Sequence, residues 1–280
     1  MGRIANGWEI TKQSFRIIKQ DKEILIFPVM AMALFVLVTG FFIIFFIAGG
    51  IGAIAINEDL GKGVVIFTFL AYFFAAYFIS VFFEAAIVSS ASIRLKGKNP
   101  SMGDGLSLPL KKIPKLFGWV AIASTVGLLL NILSNLGRGR GRGVQIGTRV
   151  GAGALGVIWK LMTLLTVPVL LFEQLGVFSS ISRSSGLFKK TWGENITAQF
   201  STGGIFFLLG LAGIIPLFIV FQIGGVFSIA SLVLFFVYIG LLIVFVQSVN
   251  GILVAVLYYY AINHRDPHIY DSHTMKSLFK

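Results

Sequence analysis

Long apolar runs divided by short polar, basic segments dominate the chain. Six runs cover roughly 24–54, 64–93, 116–133, 154–178, 205–223 and 227–262. About 20 helical residues cross a hydrocarbon core, so each run is long enough to span a bilayer. The pattern therefore predicts an all-α polytopic membrane protein with six transmembrane helices. Between the runs, three polar stretches share a local pattern: Ser14-Phe-Arg-Ile17-Ile-Lys19, Ser107-Leu-Pro-Leu110-Lys-Lys112 and Ser185-Gly-Leu-Phe188-Lys-Lys190. Each has an apolar residue three after the Ser and a Lys five after it. Such a segment suits a short amphipathic helix in the membrane interface. Each stretch precedes an odd-numbered run, which predicts three helical hairpins, each led by an interfacial helix. The pseudo-repeats would cover roughly 8–98, 99–180 and 181–270 of a single transmembrane domain.

Composition agrees. Hydrophobic residues make up 56% of the 280, charged residues only 12%, and the mean hydropathy is +0.91. A soluble core of this size has too little interior for so much apolar surface. With no cysteine, disulfides and thiolate metal sites are excluded. The first apolar run is longer than the core of a signal peptide and follows a charged stretch, so no cleavable leader is expected.

Charge sets the orientation. Seventeen Lys and Arg fall in the N-terminal segment, the C-terminal segment and the connections after the second and fourth runs, against five in the remaining connections. The positive-inside rule then places both termini in the cytoplasm of a cell-membrane protein. The net charge of +12 points to anionic headgroups on the cytoplasmic face rather than to nucleic acid. Lys19, Lys112, Arg183 and Lys190 are the expected headgroup contacts. The discordant connection is 135–153, with Arg138, Arg140 and Arg142 alternating with glycine. Glycine costs about 1 kcal/mol per helical position, so a loop is expected there. Its readings are a solvated loop, contact with anionic headgroups or a surface polymer, or, disfavoured by its expected extracytoplasmic side, an RGG-like nucleic-acid segment.

A few polar residues fall inside the runs. Glu84 and Glu173 each stand ten residues before an Arg, Arg94 and Arg183. Ten helical residues rise about 15 Å, half of a hydrocarbon core, which predicts two carboxylates near mid-membrane. Lys160, Gln247 and Asn250 complete a candidate intramembrane polar site. A charge at that depth costs about 2.5–3.5 kcal/mol on the insertion scale and calls for a partner or a role. The carboxylates could brace helix packing, bind a proton or cation in a transport path, or take part in catalysis. No nucleophile or metal signature accompanies them, so no enzyme and no cofactor is implied. His264, His268 and His273 with Asp266 and Asp271 suit a solvated tail better than a metal site. Glycine-rich spans permit close contact within or between chains, and a homo-oligomer is compatible with them.

One block is more specific: Pro168, Glu173, Ser179, Arg183-Ser184, Phe188-Lys189 and Thr191-Trp192-Gly193-Glu194. Trp159, Thr163, Gly7-Trp8 and Ser14 accompany it. This block resembles the prokaryotic multi-pass membrane proteins grouped as domain of unknown function 6159, and more distantly the membrane domain fused to some glycerophosphodiesterases. The resemblance implies an architecture and supplies no activity, catalytic residue or cargo. The Arg-Gly connection departs from that family's pattern. The leading expectation is passage of a small solute, ion or lipid past Glu84 and Glu173; the rivals are a scaffold or accessory subunit and an intramembrane enzyme.

Overall fold

The computed structural model describes residues 21–139, 141–192, 209–214, 216 and 226–263. All regular structure among them is helical. A short 3-10 turn, Lys22–Leu25, leads into α1 (Ile26–Phe45). A widened π-helical segment, Phe46–Ile51, carries the chain into α2 (Gly52–Ile56). Then follow α3 (Glu58–Leu95), α4 (Met102–Lys111), α5 (Ile113–Asn135), α6 (Arg142–Met162), α7 (Thr166–Phe172), α8 (Val177–Trp192) and α9 (Val226–Asn263).

Among the described residues five helical stretches are long and apolar enough to cross a membrane: Lys22–Ile56, Glu58–Leu95, Ile113–Asn135, Arg142–Phe172 and Leu234–Ile262. They correspond to the expected first, second, third, fourth and sixth runs. The expected fifth, 205–223, lies largely outside the described residues, as do the segment around Lys19 and the histidine-bearing tail.

Two helix reversals are built by small residues. At Asn57 the chain turns back: its side-chain oxygen accepts the amides of Asp59 (2.9 Å) and Leu60 (3.1 Å), capping α3. Gly61 then lies so near the backbone of Ile54 that no Cβ fits. Further along the same pair the Tyr72 hydroxyl meets Thr39 at 3.2 Å, so α1 and α3 run antiparallel. The second reversal lies between α5 and α6, with 136–139 and 141 among the described residues. Gly137 rests on the backbone of Gln145, and Gly139 and Gly141 take φ of +83° and +94°, a region open to glycine. Packing continues at Leu130 against Gly156 and in the stacked rings of Trp119 and Trp159, 6.1 Å apart. The expected loop over 135–153 is thus only a tight turn, and the fourth candidate span starts at Arg142 rather than 154. Gly143, Gly147, Gly151 and Gly153 are helical despite their propensity. The hairpin packing of α6 on α5 outweighs a per-residue cost of about 1 kcal/mol.

Contacts divide the chain into two compact units. One comprises 1–28, 87–105 and 187–280; the other comprises 29–86 and 106–186. In the first unit, residues 209–214 lie antiparallel to α9, where the Tyr238 hydroxyl donates to the Leu209 carbonyl (2.6 Å) and Gly213 abuts the Tyr238 ring. Also in this unit, Gly251 of α9 abuts Ile87 of α3, and Gly105 of α4 abuts Ser90 and Phe27.

Of the three expected amphipathic helices, α4 contains Ser107 and Leu110, and α8 contains Ser185, Phe188 and Lys190. The first lies outside the described residues. A capping box starts α4. The Ser101 hydroxyl (2.7 Å) and amide (2.9 Å) both donate to the Asp104 carboxylate, and the Asp104 amide donates back to Ser101 Oγ (3.2 Å). These bonds, the side-chain one foremost, hold the Asp104 carboxyl below its usual range. A depressed folded pKa supports the helix above the unfolded value and withdraws that support as pH falls through the folded one. Protection of the Ser101 and Asp104 amides, measured relative to their intrinsic exchange at each pH, should therefore hold at neutral pH and fall only below the ordinary aspartate range. Protection factors followed against pH check this; a loss of protection near neutrality would contradict it.

Candidate functional site

The Pro168–Ser184 block is a broken helix with its repair. Proline has no N–H to give the carbonyl four residues earlier and its ring crowds that carbonyl, so Pro168 is accommodated at least cost in the first turn of a new helix. The chain ends α6 at Met162, turns through Thr163–Leu165 and restarts as α7 with Pro168 in its first turn. A break buried here orphans backbone groups, and each needs a partner. Ser184, fully buried on α8, supplies it: the Leu165 amide donates to Ser184 Oγ (3.0 Å), which donates to the Met162 carbonyl (2.8 Å). Thr166 is buried at the same place, and its Oγ1 has no hydrogen-bond partner among the described residues.

Glu173 does not sit midway along a helix. It ends α7 with extended backbone (φ −100°, ψ 147°), just after the candidate span closes at Phe172. The chain reverses over residues 173–176, so Arg183 comes back beside Glu173, with Nε 3.2 Å from Oε2. The expected helical rise of about 15 Å between them is absent, because a turn replaces the continuous helix. Lys115, at the start of α5, donates to the Leu175 carbonyl in the same turn (2.7 Å). Glu173 therefore lies level with the beginning of α5, not its middle.

Glu84 differs. It is half-buried in the uninterrupted helix α3. Phe117, one turn into α5, packs on Phe74 (4.8 Å) and Phe78 (6.0 Å). Glu84 lies six residues beyond Phe78, about 9 Å further toward the C-terminal end of α3. Among the described residues it makes no hydrogen bond and no ion pair within 4.0 Å; Lys160 is exposed on α6. Arg94, ten residues further along α3, bonds Asp21 (Nε–Oδ2 3.1 Å) and Asn99. Burial pushes the Asp21 carboxyl up from its usual range, against the pull of Arg94 and with a further push from Glu23.

The remaining candidates scatter. Gln247 is half-buried and Asn250 exposed on α9. Lys112 is half-buried at the joint of α4 and α5, while Lys190 is exposed on α8. A cavity of about 610 Å³ opens among Phe42, Phe46, Val65, Phe69, Tyr72 and Leu128; it is almost wholly apolar and reaches neither Glu84 nor Glu173. Among the described residues no three His, Asp or Glu gather as metal ligands.

Residues 60–267 match a family described as a family of unknown function, DUF6159. The chain belongs to DUF6159. No curated protein and no solved structure matches it. The block that carries the DUF6159 resemblance is thus one local device: Pro168 forces a break, Ser184 satisfies it, and Arg183 ties Glu173 across the turn that follows. The importance of Ser184 escaped sequence reasoning. A serine beside an arginine on an amphipathic helix reads as surface. The available signal was Pro168, sixteen residues earlier, since a helix broken inside a membrane must find partners for its freed backbone groups.

Proposed function

We propose that this DUF6159 protein is a six-span protein of the cell membrane with both termini cytoplasmic, and that it passes a small solute or ion near Glu84. The Lys and Arg asymmetry supports the orientation, and the apolar run 205–223 supports the sixth span. The observation that carries the passage is Glu84 itself, a half-buried carboxylate in a candidate span with no direct partner among the described residues. A carboxylate kept only to brace helices gains by pairing, and one left unpaired in such a place is costly. A proton or cation that comes and goes gives it a use. We assign the protein no enzymatic activity and no cofactor.

A scaffold or accessory role is the second reading. It is favoured by Glu173, whose ion pair with Arg183 and place beside the Ser184 repair suit a bracing group.

Flux assays on the full chain in proteoliposomes separate the two. With a pH-sensitive or cation-sensitive dye inside, Glu84→Gln should lower flux at least about tenfold, the factor that about 1.4 kcal/mol supplies, while leaving the melting temperature unchanged. Wild-type protein that moves no proton or monovalent cation, or a Glu84→Gln variant with full flux, would leave the scaffold reading standing.

A further inference from the structure

The tip of the α5–α6 hairpin carries charge that nothing in its own sequence neighbourhood answers. Arg138, Arg142 and Arg149 are exposed there, and none has an ion-pair partner among the described residues. No acidic residue occurs between Asp104 and Glu173. The glycine turn at 139 and 141 folds Arg138 back toward the start of α6. Arg142 and Arg149 are about two turns apart and share one stripe of the helix.

Apolar side chains sit beside that stripe. Gln145 and Thr148 mark the side of α6 that meets α5, since Gly137 rests on Gln145 and Thr148 reaches the Ser134 carbonyl. On a helical wheel Ile146 and Val150 point away from that side, and they are 62% and 65% exposed. A soluble polyanion would answer the arginines and leave both apolar residues in water. A bilayer surface takes both, with aliphatic side chains among acyl chains and guanidinium groups at the phosphates.

We propose that this hairpin tip is a docking surface for anionic phospholipid headgroups. The assignment is the same whichever side of the membrane the tip faces. The arginines supply bidentate donors to phosphate oxygens, and Ile146 and Val150 set the depth.

The chain has no cysteine, so a single Gly143→Cys, at a position with open space around it, carries a fluorophore uniquely. The labelled full-length protein is reconstituted in phosphatidylcholine bilayers containing phosphatidylglycerol, with bromine on one lipid or the other. Brominated phosphatidylglycerol should quench several-fold more than brominated phosphatidylcholine at equal mole fraction. Each Arg→Gln change at 138, 142 or 149 should reduce that preference by up to about fivefold. The triple Arg→Lys variant should keep most of it, which separates charge from misfolding. Equal quenching by the two lipids, or a preference that survives the triple Arg→Gln change, overturns the proposal.

Discussion

Ser184→Ala lowers the stability of the folded protein by about 1–3 kcal/mol for each backbone group it orphans. Two groups depend on this one hydroxyl, the Leu165 amide and the Met162 carbonyl. Water could replace a lost partner at a surface, but Ser184 is fully buried. The neighbouring ion pair is a weaker element: Arg183 and Glu173 side chains are 48% and 22% exposed, and such pairs contribute about 0–1 kcal/mol. Arg183→Gln should therefore shift the denaturant midpoint far less than Ser184→Ala. Unfolding in detergent, followed by circular dichroism, ranks the two. A Ser184→Ala effect no larger than that of Arg183→Gln would remove the buried repair from the account.

Gly251→Ala should cost about 1–3 kcal/mol through overpacking. A Cβ at this position would stand 2.9 Å from the Cβ of Ile87. That atom is the root of a branched side chain, only 1% exposed, so rotation cannot clear it and the backbones must part. Ile87→Ala alone should destabilise by leaving a cavity. Combined with Gly251→Ala it removes Ile87 Cγ2, the atom nearest the new Cβ, and leaves only the Cβ contact, so it should recover part of the loss and give a clear coupling in a double-mutant cycle. Additive effects would mean that the two positions do not share this contact.

The hydrophobic pattern placed most ends of the five described spans to within a few residues, because burial in hydrocarbon acts on every residue of a run. It misplaced the start of the fourth. Composition made 135–153 a loop, yet packing of α6 on α5 holds its glycines in a helix from Arg142 onward. Spacing matched Glu84 with Glu173 and put both at mid-membrane. In the structure Glu173 follows a break beside the start of α5, whereas Glu84 stays inside a continuous helix.

Amino-acid order by itself determined the helical class and most of the apolar spans, since these depend on local composition and period. Which polar groups meet was decided by tertiary structure alone. Arg183 reaches Glu173 because a reversal replaces continuous helix, Arg94 reaches Asp21 rather than Glu84, and Ser184 closes a break that proline opens on another helix. Those pairings depend on where separate helices pass one another, and side-chain spacing along one helix carries no record of that.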